Sequence, residues 1–218
     1  NDEALNRDKY IHIVSCNTHN IAVVIKNIAL DVSPDNFVSG RFVCIRRAND
    51  ISQDSKFIPS PEVGEHKDER GTHHARDVWH LYNTLGLDLD VFSSAMKVNT
   101  QYMHSIWFNI KVRDETSRED VIERFVKNPR VAITYKKLAN LVFSFGRDHG
   151  HYGRILNQTV VVVPTIHVHN KREVIGFCFT PQDGNSLLSS ITAIEHLLYP
   201  EEYKDKIKVL SPFLFNEV

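Results

Sequence analysis

The stretch that most restricts the fold of this chain is residues 10–30, Tyr-Ile-His-Ile-Val-Ser-Cys-Asn-Thr-His followed by an apolar run. Ile11 and Ile13 alternate against His12, which predicts a strand. Beyond it, Ile21, Ile25, Ile28 and Ala29 recur at helical spacing, with Asn17 or Thr18 available as the N-cap. Cys16 is therefore placed where a strand ends and a helix begins. Unpaired N–H groups and the positive end of a helix dipole favour an anion at such a point, hence a thiolate. The dipole contributes only about 0.3–1 kcal/mol, under one pKa unit, so a second group must complete any activation. The competing reading is a buried cysteine beside a helix cap.

The rest of the chain alternates clear elements with one long polar stretch. Residues 37–47 read as a strand ending in Arg46-Arg47, and 48–75 are polar, with Pro59, Pro61, Gly64, Gly71 and little periodicity. A loop of that length in a compact domain is uncommon and is usually functional or disordered. It ends in Gly71-Thr-His73-His74-Ala-Arg76-Asp77-Val78. Residues 89–98 and 102–112 read as strands, and Thr116-x-x-Glu119 forms a capping box ahead of Val121, Ile122, Phe125 and Val126. A short strand is expected at 131–135 and a helix at 136–145, closed by Gly146. Strands at 159–163, 165–169 and 174–179 follow, the last two turned by Asn170-Lys171-Arg172. A final helix is expected at 187–198, with Ile191, Ala193, Ile194 and Leu197 on one face. Strands and helices segregated in this way predict an α+β fold, a mixed and largely antiparallel sheet with helices on one face.

A chain of 218 residues can bury a sizeable core, and we read residues 1–218 as one domain. Net charge is −1, which argues against nucleic acid or an anionic membrane as the main partner. Cys16, Cys44 and Cys178 are too few and scattered for a disulfide framework, so a reducing, cytoplasmic compartment is expected. No apolar run approaches the roughly 20 residues of a membrane span. His167 and His169 share a strand face and His149 and His151 flank Gly150, but these spacings fit no strong metal motif. An exposed polar face is the expectation there, and no metal. The glycines include no GxGxxG after a strand, and the chain starts at Asn1 rather than methionine. We therefore expect a fragment or stand-alone half, without a nucleotide-binding domain of its own.

Ser15-Cys16-Asn17-Thr18 resembles the active-site segment of glyceraldehyde-3-phosphate dehydrogenase, and the later landmarks resemble its archaeal branch. Arg46-Arg47-Ala48, Ile58-Pro59-Ser60-Pro61 and His73-His74-Ala-Arg-Asp77-Val78 come in matching order. Val98-Asn99-Thr100-Gln101-Tyr102-Met103-His104, Asn128-Pro129-Arg130, Gly146-Arg147 and Ile191-Thr-Ala193-Ile194 follow. The likeness covers nearly the whole chain, but only the catalytic half of the family. The chain departs from the family at His19-Asn20, where the family has Thr-Gly, and at Asn99, where it has proline. It departs again at Pro181-Gln182-Asp183-Gly184, in place of a His-Gln-Glu-Ser segment.

The resemblance implies a phosphorylating aldehyde dehydrogenase: a cysteine thiohemiacetal, hydride transfer to NAD or NADP, and acyl transfer to phosphate. It makes Cys16 the nucleophile, His104 the base and the Asn17 backbone N–H an oxyanion donor. Thr18 and Arg46 are the implied phosphate-binding residues, His73 and His74 are candidates for the base or for phosphate, and Gln182 and Asn185 lie on the cofactor side. Arg46 and Arg47 alternate across their strand, so at most one can face Cys16, and Arg46 is the closer match. The implied partners are a small phosphorylated aldehyde, inorganic phosphate, a separate nucleotide-binding domain and further copies of the chain. In the family the outer sheet face packs on another subunit, and residues 160–163 suit such an interface as well as a core strand. The alternative is a homologue that is no dehydrogenase, retained as an oligomeric scaffold or a regulatory or binding module. The missing GxGxxG and the altered 181–184 segment motivate it.

Overall fold

The computed structural model describes residues 10–49 and 57–218; the polar leading segment 1–9 and residues 50–56 of the long loop lie outside the described residues. The architecture is organised by helix α1, Cys16–Ile25. Ser15 caps it, its Oγ accepting from the Thr18 N–H at 3.4 Å. That takes the cap expected of Asn17 or Thr18, and both of these are buried within the helix. After Ile25 the helix widens into a π-helical turn, Lys26–Leu30. There Asn27 Nδ2 donates to the Val23 carbonyl at 2.7 Å, competing for an acceptor of the helical ladder.

Residues 10–14, expected as a strand, have no regular secondary structure. Alternating isoleucines define two faces, but a strand also needs an edge to bond to, and among the described residues none pairs with it.

The strands are β1 (Phe37–Arg46), β2 (Glu62–Val63), β3 (Val91–Lys97) and β4 (His104–Val112), then β5 (Val131–Thr134), β6 (Thr159–Val162), β7 (His167–His169) and β8 (Glu173–Thr180). They form one sheet in the order β2-β3-β1-β4-β8-β6-β5, with β7 also paired to β8. The β1–β3 and β5–β6 pairs are parallel and the other pairings antiparallel, so the expected mixed, largely antiparallel sheet is present. Helix α1 and α2 (His73–Asn83) cover its inner face, where Phe42, Cys44, Ile106, Phe108 and Cys178 are buried with Ile21, Ile25 and Val78. Each such side chain contributes about 1.5–3 kcal/mol through burial.

Helix α3 (Arg118–Lys127) joins the same core through Val121 and Phe125. Its capping box is Ser117 with Asp120, one residue later than the expected Thr116 with Glu119. Helix α4 (Ala139–His149) lies at the other end of the sheet. There Val131, Ile133 and Val161 face the main core, while Ala132, Val160 and Val162 face a second cluster with Val142 and Val218. A parallel pair covered on both sides reads as a continuous apolar run, which is why residues 160–163 are core strand and not interface.

Helix α4 passes through Gly146 and stops at Gly150, where a Cβ would lie 2.4 Å from the carbonyls of Gly146 and Arg154. The β7–β8 hairpin turns through Asn170, Lys171 and Arg172, between the paired His169 and Glu173, with Asn170 and Lys171 at positive φ. Helix α5 (Gly184–Leu198) starts earlier than expected, and its apolar face is not a core face. Ile194 and Leu197 are exposed, whereas Leu188 and His196 are buried. A short helix, α6 (Tyr203–Lys206), and a 3₁₀ segment complete the chain.

Candidate active site

Cys16 is the first residue of α1, half-buried and in no disulfide. The first N–H groups of a helix have no intrahelical acceptor, and that of Asn17 is among them. Cys44 and Cys178 are buried completely, and burial pushes both thiols up, Cys178 to about 12. The three cysteines thus divide into one surface-reaching thiol and two inert ones.

A chain of buried hydrogen bonds fixes the turn that carries Cys16. Asn17 Nδ2 donates to His74 Nε2 at 3.3 Å, and Asn17 Oδ1 accepts from the Thr180 hydroxyl at 3.0 Å. Thr180 Oγ1 accepts from Asn20 Nδ2 at 2.9 Å, and Asn20 Oδ1 accepts from the Cys178 thiol at 3.1 Å. On the far side, His74 Nδ1 meets Thr72 Oγ1 at 3.1 Å, and Thr72 meets Ser93 Oγ at 2.6 Å. Asn17 is a donor at Nδ2, so His74 Nε2 must be the acceptor and the ring proton sits on Nδ1. Burial, reinforced by the neighbouring His73, Arg46 and His104, holds His74 well below the usual histidine range, at about 3. It stays neutral with both nitrogens occupied.

His73 behaves differently. Adjacent positions on a helix point about 100° apart, so one of the pair can face inward and the other outward. His73 is exposed and lines a cavity of about 560 Å³ with Arg46, Lys67, Thr72, His74 and Arg76. Partial burial lowers its pKa, opposed by Asp77. Arg76 is held by Asp68 and Asp77, each at 3.6 Å. The motif expected in a loop therefore opens a helix and builds one wall of a cavity in which Arg46, Lys67 and Arg76 stand with Glu65 and Asp68. Cys16 is not among its lining residues; Asn17 and His74 connect the two.

His104 opens β4 opposite Thr180 and is buried. Its Nδ1 accepts the Arg47 N–H at 3.0 Å, so the neutral ring carries its proton on Nε2. The arginines diverge as strand alternation requires. Arg46 faces the cavity just described, and the buried Arg47 donates from Nη1 to the Tyr102 carbonyl at 2.9 Å. Arg47 belongs to a second cavity, of about 310 Å³, lined also by Tyr102, Arg147, Arg154 and Gln182.

The remaining residues sit as follows. Thr18 is fully buried, and its hydroxyl is bonded to Ser15 Oγ at 2.9 Å. Asn185 Nδ2 donates to the carbonyls of Cys16 and Gln158, at 2.9 and 3.2 Å, while its Oδ1 is buried without a partner. Gln182 lies in the arginine-lined cavity. Among the described residues, no three His, Cys, Asp or Glu side chains gather as a metal ion would need. Sequence reasoning missed Thr180 and Arg154, and gave Arg147 a place in the order of landmarks but no role at a site. The Tyr102 and Asp183 backbones beside that cavity are at positive φ, a conformation that non-glycine residues do not announce.

Comparison with known proteins bears on this geometry. The chain is 27% identical over 218 residues to the glyceraldehyde-3-phosphate dehydrogenase of Sulfolobus acidocaldarius, covering 98% of this chain and 61% of that protein. The chain is similar to the archaeal glyceraldehyde-3-phosphate dehydrogenases. The protein of the same name from Methanocaldococcus jannaschii is 26% identical over 198 residues, covering 88% of this chain and 55% of its own length. That of Saccharolobus islandicus is 29% identical over 141 residues, 62% of this chain and 37% of its own. The chain thus spans less than two thirds of the length of these relatives. No family model matches it. Among the described residues, no helix is long and apolar enough to cross a membrane.

Proposed function

We propose that this chain is the catalytic-type domain of a phosphorylating aldehyde dehydrogenase that works with NAD or NADP carried by a nucleotide-binding domain. One observation carries the reading. Cys16 opens a helix whose first turn is held by hydrogen bonds from α2, β8 and α5, so its sulfur is positioned before any substrate arrives.

The helix end favours the thiolate, and the thiol proton leaves to water. Sulfur attacks the aldehyde carbon, and the carbonyl electron pair moves onto oxygen. The Asn17 N–H stabilises that oxyanion. His104 differs from the expected base: its Nδ1 is occupied by the Arg47 N–H, so it serves the anion as a hydrogen-bond donor from Nε2. A nicotinamide, when bound, supplies the hydride acceptor. Asn185 fits that end of the cofactor, because its buried Oδ1 lacks a partner that a carboxamide N–H provides. Gln182 is a second candidate on the cofactor side. Arg46 and His73 hold the phosphate that displaces sulfur from the acyl carbon, a bidentate guanidinium being suited to it. Thr18 and His74 act as supports rather than ligands.

The aldehyde is a small phosphorylated one, and the setting is cytoplasmic. Val43, Trp107 and Phe177 stand in register across β1, β4 and β8 on the face away from α1, which suits packing on a second copy.

Alkylation tests the proposal. At neutral pH, iodoacetamide should modify Cys16 about threefold faster than it modifies glutathione, the gain that a helix end worth under one pKa unit gives, with Cys44 and Cys178 untouched, as read by peptide mass spectrometry. A rate at or below that of glutathione would overturn the enzymatic reading and leave the oligomeric scaffold.

A further inference from the structure

A cavity of about 810 Å³ lies on the flank of α1 away from Arg46 and His73, between residues 11–14, α1, α3 and α5. Its apolar surface includes Val14, Ala22, Val23 and Ala193. Its charged lining is cationic, with Lys26, Arg124, Lys127 and Arg130 against Asp31 alone. Three of these cations are already engaged. Lys26 pairs with Asp31, and Lys127 with Glu123 at 2.6 Å. Arg124 donates to the Ile28 carbonyl and to Thr116 Oγ1, both at 2.9 Å.

Arg130 differs. Its side chain is partly buried, and among the described residues no carboxylate or carbonyl accepts from its guanidinium. Burial lowers its pKa, with Tyr203 opposing. His196 shares the cavity wall. It is 3% exposed, neither ring nitrogen has a hydrogen-bond partner, and the Tyr203 ring packs edge-on against it at 4.8 Å. Tyr203 thus neighbours both groups. A desolvated cation and a desolvated imidazole, each without a partner, are costly in a finished core, and an incoming anion satisfies both.

We propose that this cleft is a binding site for an amphipathic organic anion, its oxyanion head taken by Arg130 and His196 and its hydrocarbon body laid on Val14, Ala22, Val23 and Ala193. The site is separate from that of Cys16, and its occupancy does not depend on the dehydrogenase reading.

Calorimetric titration of the full chain with hexyl phosphate tests it, with hexanoate, hexanol and inorganic phosphate as separate arms. Hexyl phosphate should bind at one site, and hexanol and inorganic phosphate should each bind at least about tenfold more weakly. The hexanoate arm distinguishes a phosphate head from a carboxylate as the preferred anion. Arg130→Gln should weaken hexyl phosphate by about tenfold or more, as loss of a charge-assisted hydrogen bond does. Should that variant not fold, amide chemical shifts of the unaltered chain decide, with Ala22, Val23 and Ala193 expected to move. Hexanol binding as tightly as hexyl phosphate, an unchanged affinity in Arg130→Gln, or shifts confined to other residues would each overturn the proposal.

Discussion

The two flanks of α1 treat buried polar groups in opposite ways. At its N-terminal turn, Asn17, Asn20, His74 and Thr180 are all buried, and each has its hydrogen bonds supplied within one network that also takes in Thr72 and Cys178. On the other flank, His196 is just as buried, yet neither of its ring nitrogens is bonded, and Arg130 next to it has no counter-charge among the described residues. A satisfied network costs little and fixes geometry, whereas an unsatisfied one costs free energy that only a missing partner returns. The difference separates groups that hold the fold from groups that wait for something. His73 and His74 repeat the contrast at adjacent positions of one helix.

If that distinction is sound, substitution should hurt the first flank most. Asn17→Ala removes the acceptor for Thr180 and the donor for His74, leaving two buried groups unpaired. At about 1–3 kcal/mol for each unpaired group, the expected loss is about 3 kcal/mol, read from the denaturant midpoint at unchanged slope. A loss below about 0.5 kcal/mol would make the network incidental to the fold.

How much of this was legible from residues alone follows the same division. Periodicity located β1, β4, β8 and α3, because each has one buried and one wet face. The Asn170-Lys171 turn announced the hairpin. Periodicity failed where the partner of a face is not local. Residues 10–14 alternate like a strand without an edge to join, and Ile194 and Leu197 form an apolar stripe that is exposed. The site was legible as a set of residue types, with Cys16 at a helix start and cations nearby. Their division of labour was not, because it depends on tertiary contacts. The Asn17–His74 bond that occupies one histidine spans 57 positions of sequence, and so does the Arg47–His104 bond that sets the other's tautomer.

A pH titration sharpens the comparison further. His74 is held at about 3 in the folded chain, against about 6.5 when unfolded. Between those values the unfolded chain binds the extra proton, so folding stability is fully present above about pH 6.5 and is lost as pH falls toward 3. The contribution is about 1.4 kcal/mol per pH unit at most. His74→Gln offers Asn17 Nδ2 another acceptor and has no proton to gain, so its stability should fall less steeply between pH 6 and about 4. His19 and His73, also lowered by burial, act in both proteins and cancel in the difference. Parallel curves for the two proteins would mean that His74 is not the buried neutral strut described above.

The smallest expected effect is the most discriminating, because its sign is opposite. His196→Leu replaces a buried ring without partners by an apolar side chain, in a wall that already contains Ala193 and the Tyr203 ring. Removing a polar group that bonds to nothing relieves its desolvation cost, while some packing volume is lost with the ring. The two terms nearly offset, and the net should lie between no change and a gain of about 1 kcal/mol in thermal or chemical unfolding. The same variant should bind hexyl phosphate more weakly, so stability and binding move apart, as they do where a protein keeps a strained group for use. A destabilisation of 2 kcal/mol or more would instead show that His196 holds the fold, as Asn17 does, and the contrast between the two flanks of α1 would collapse.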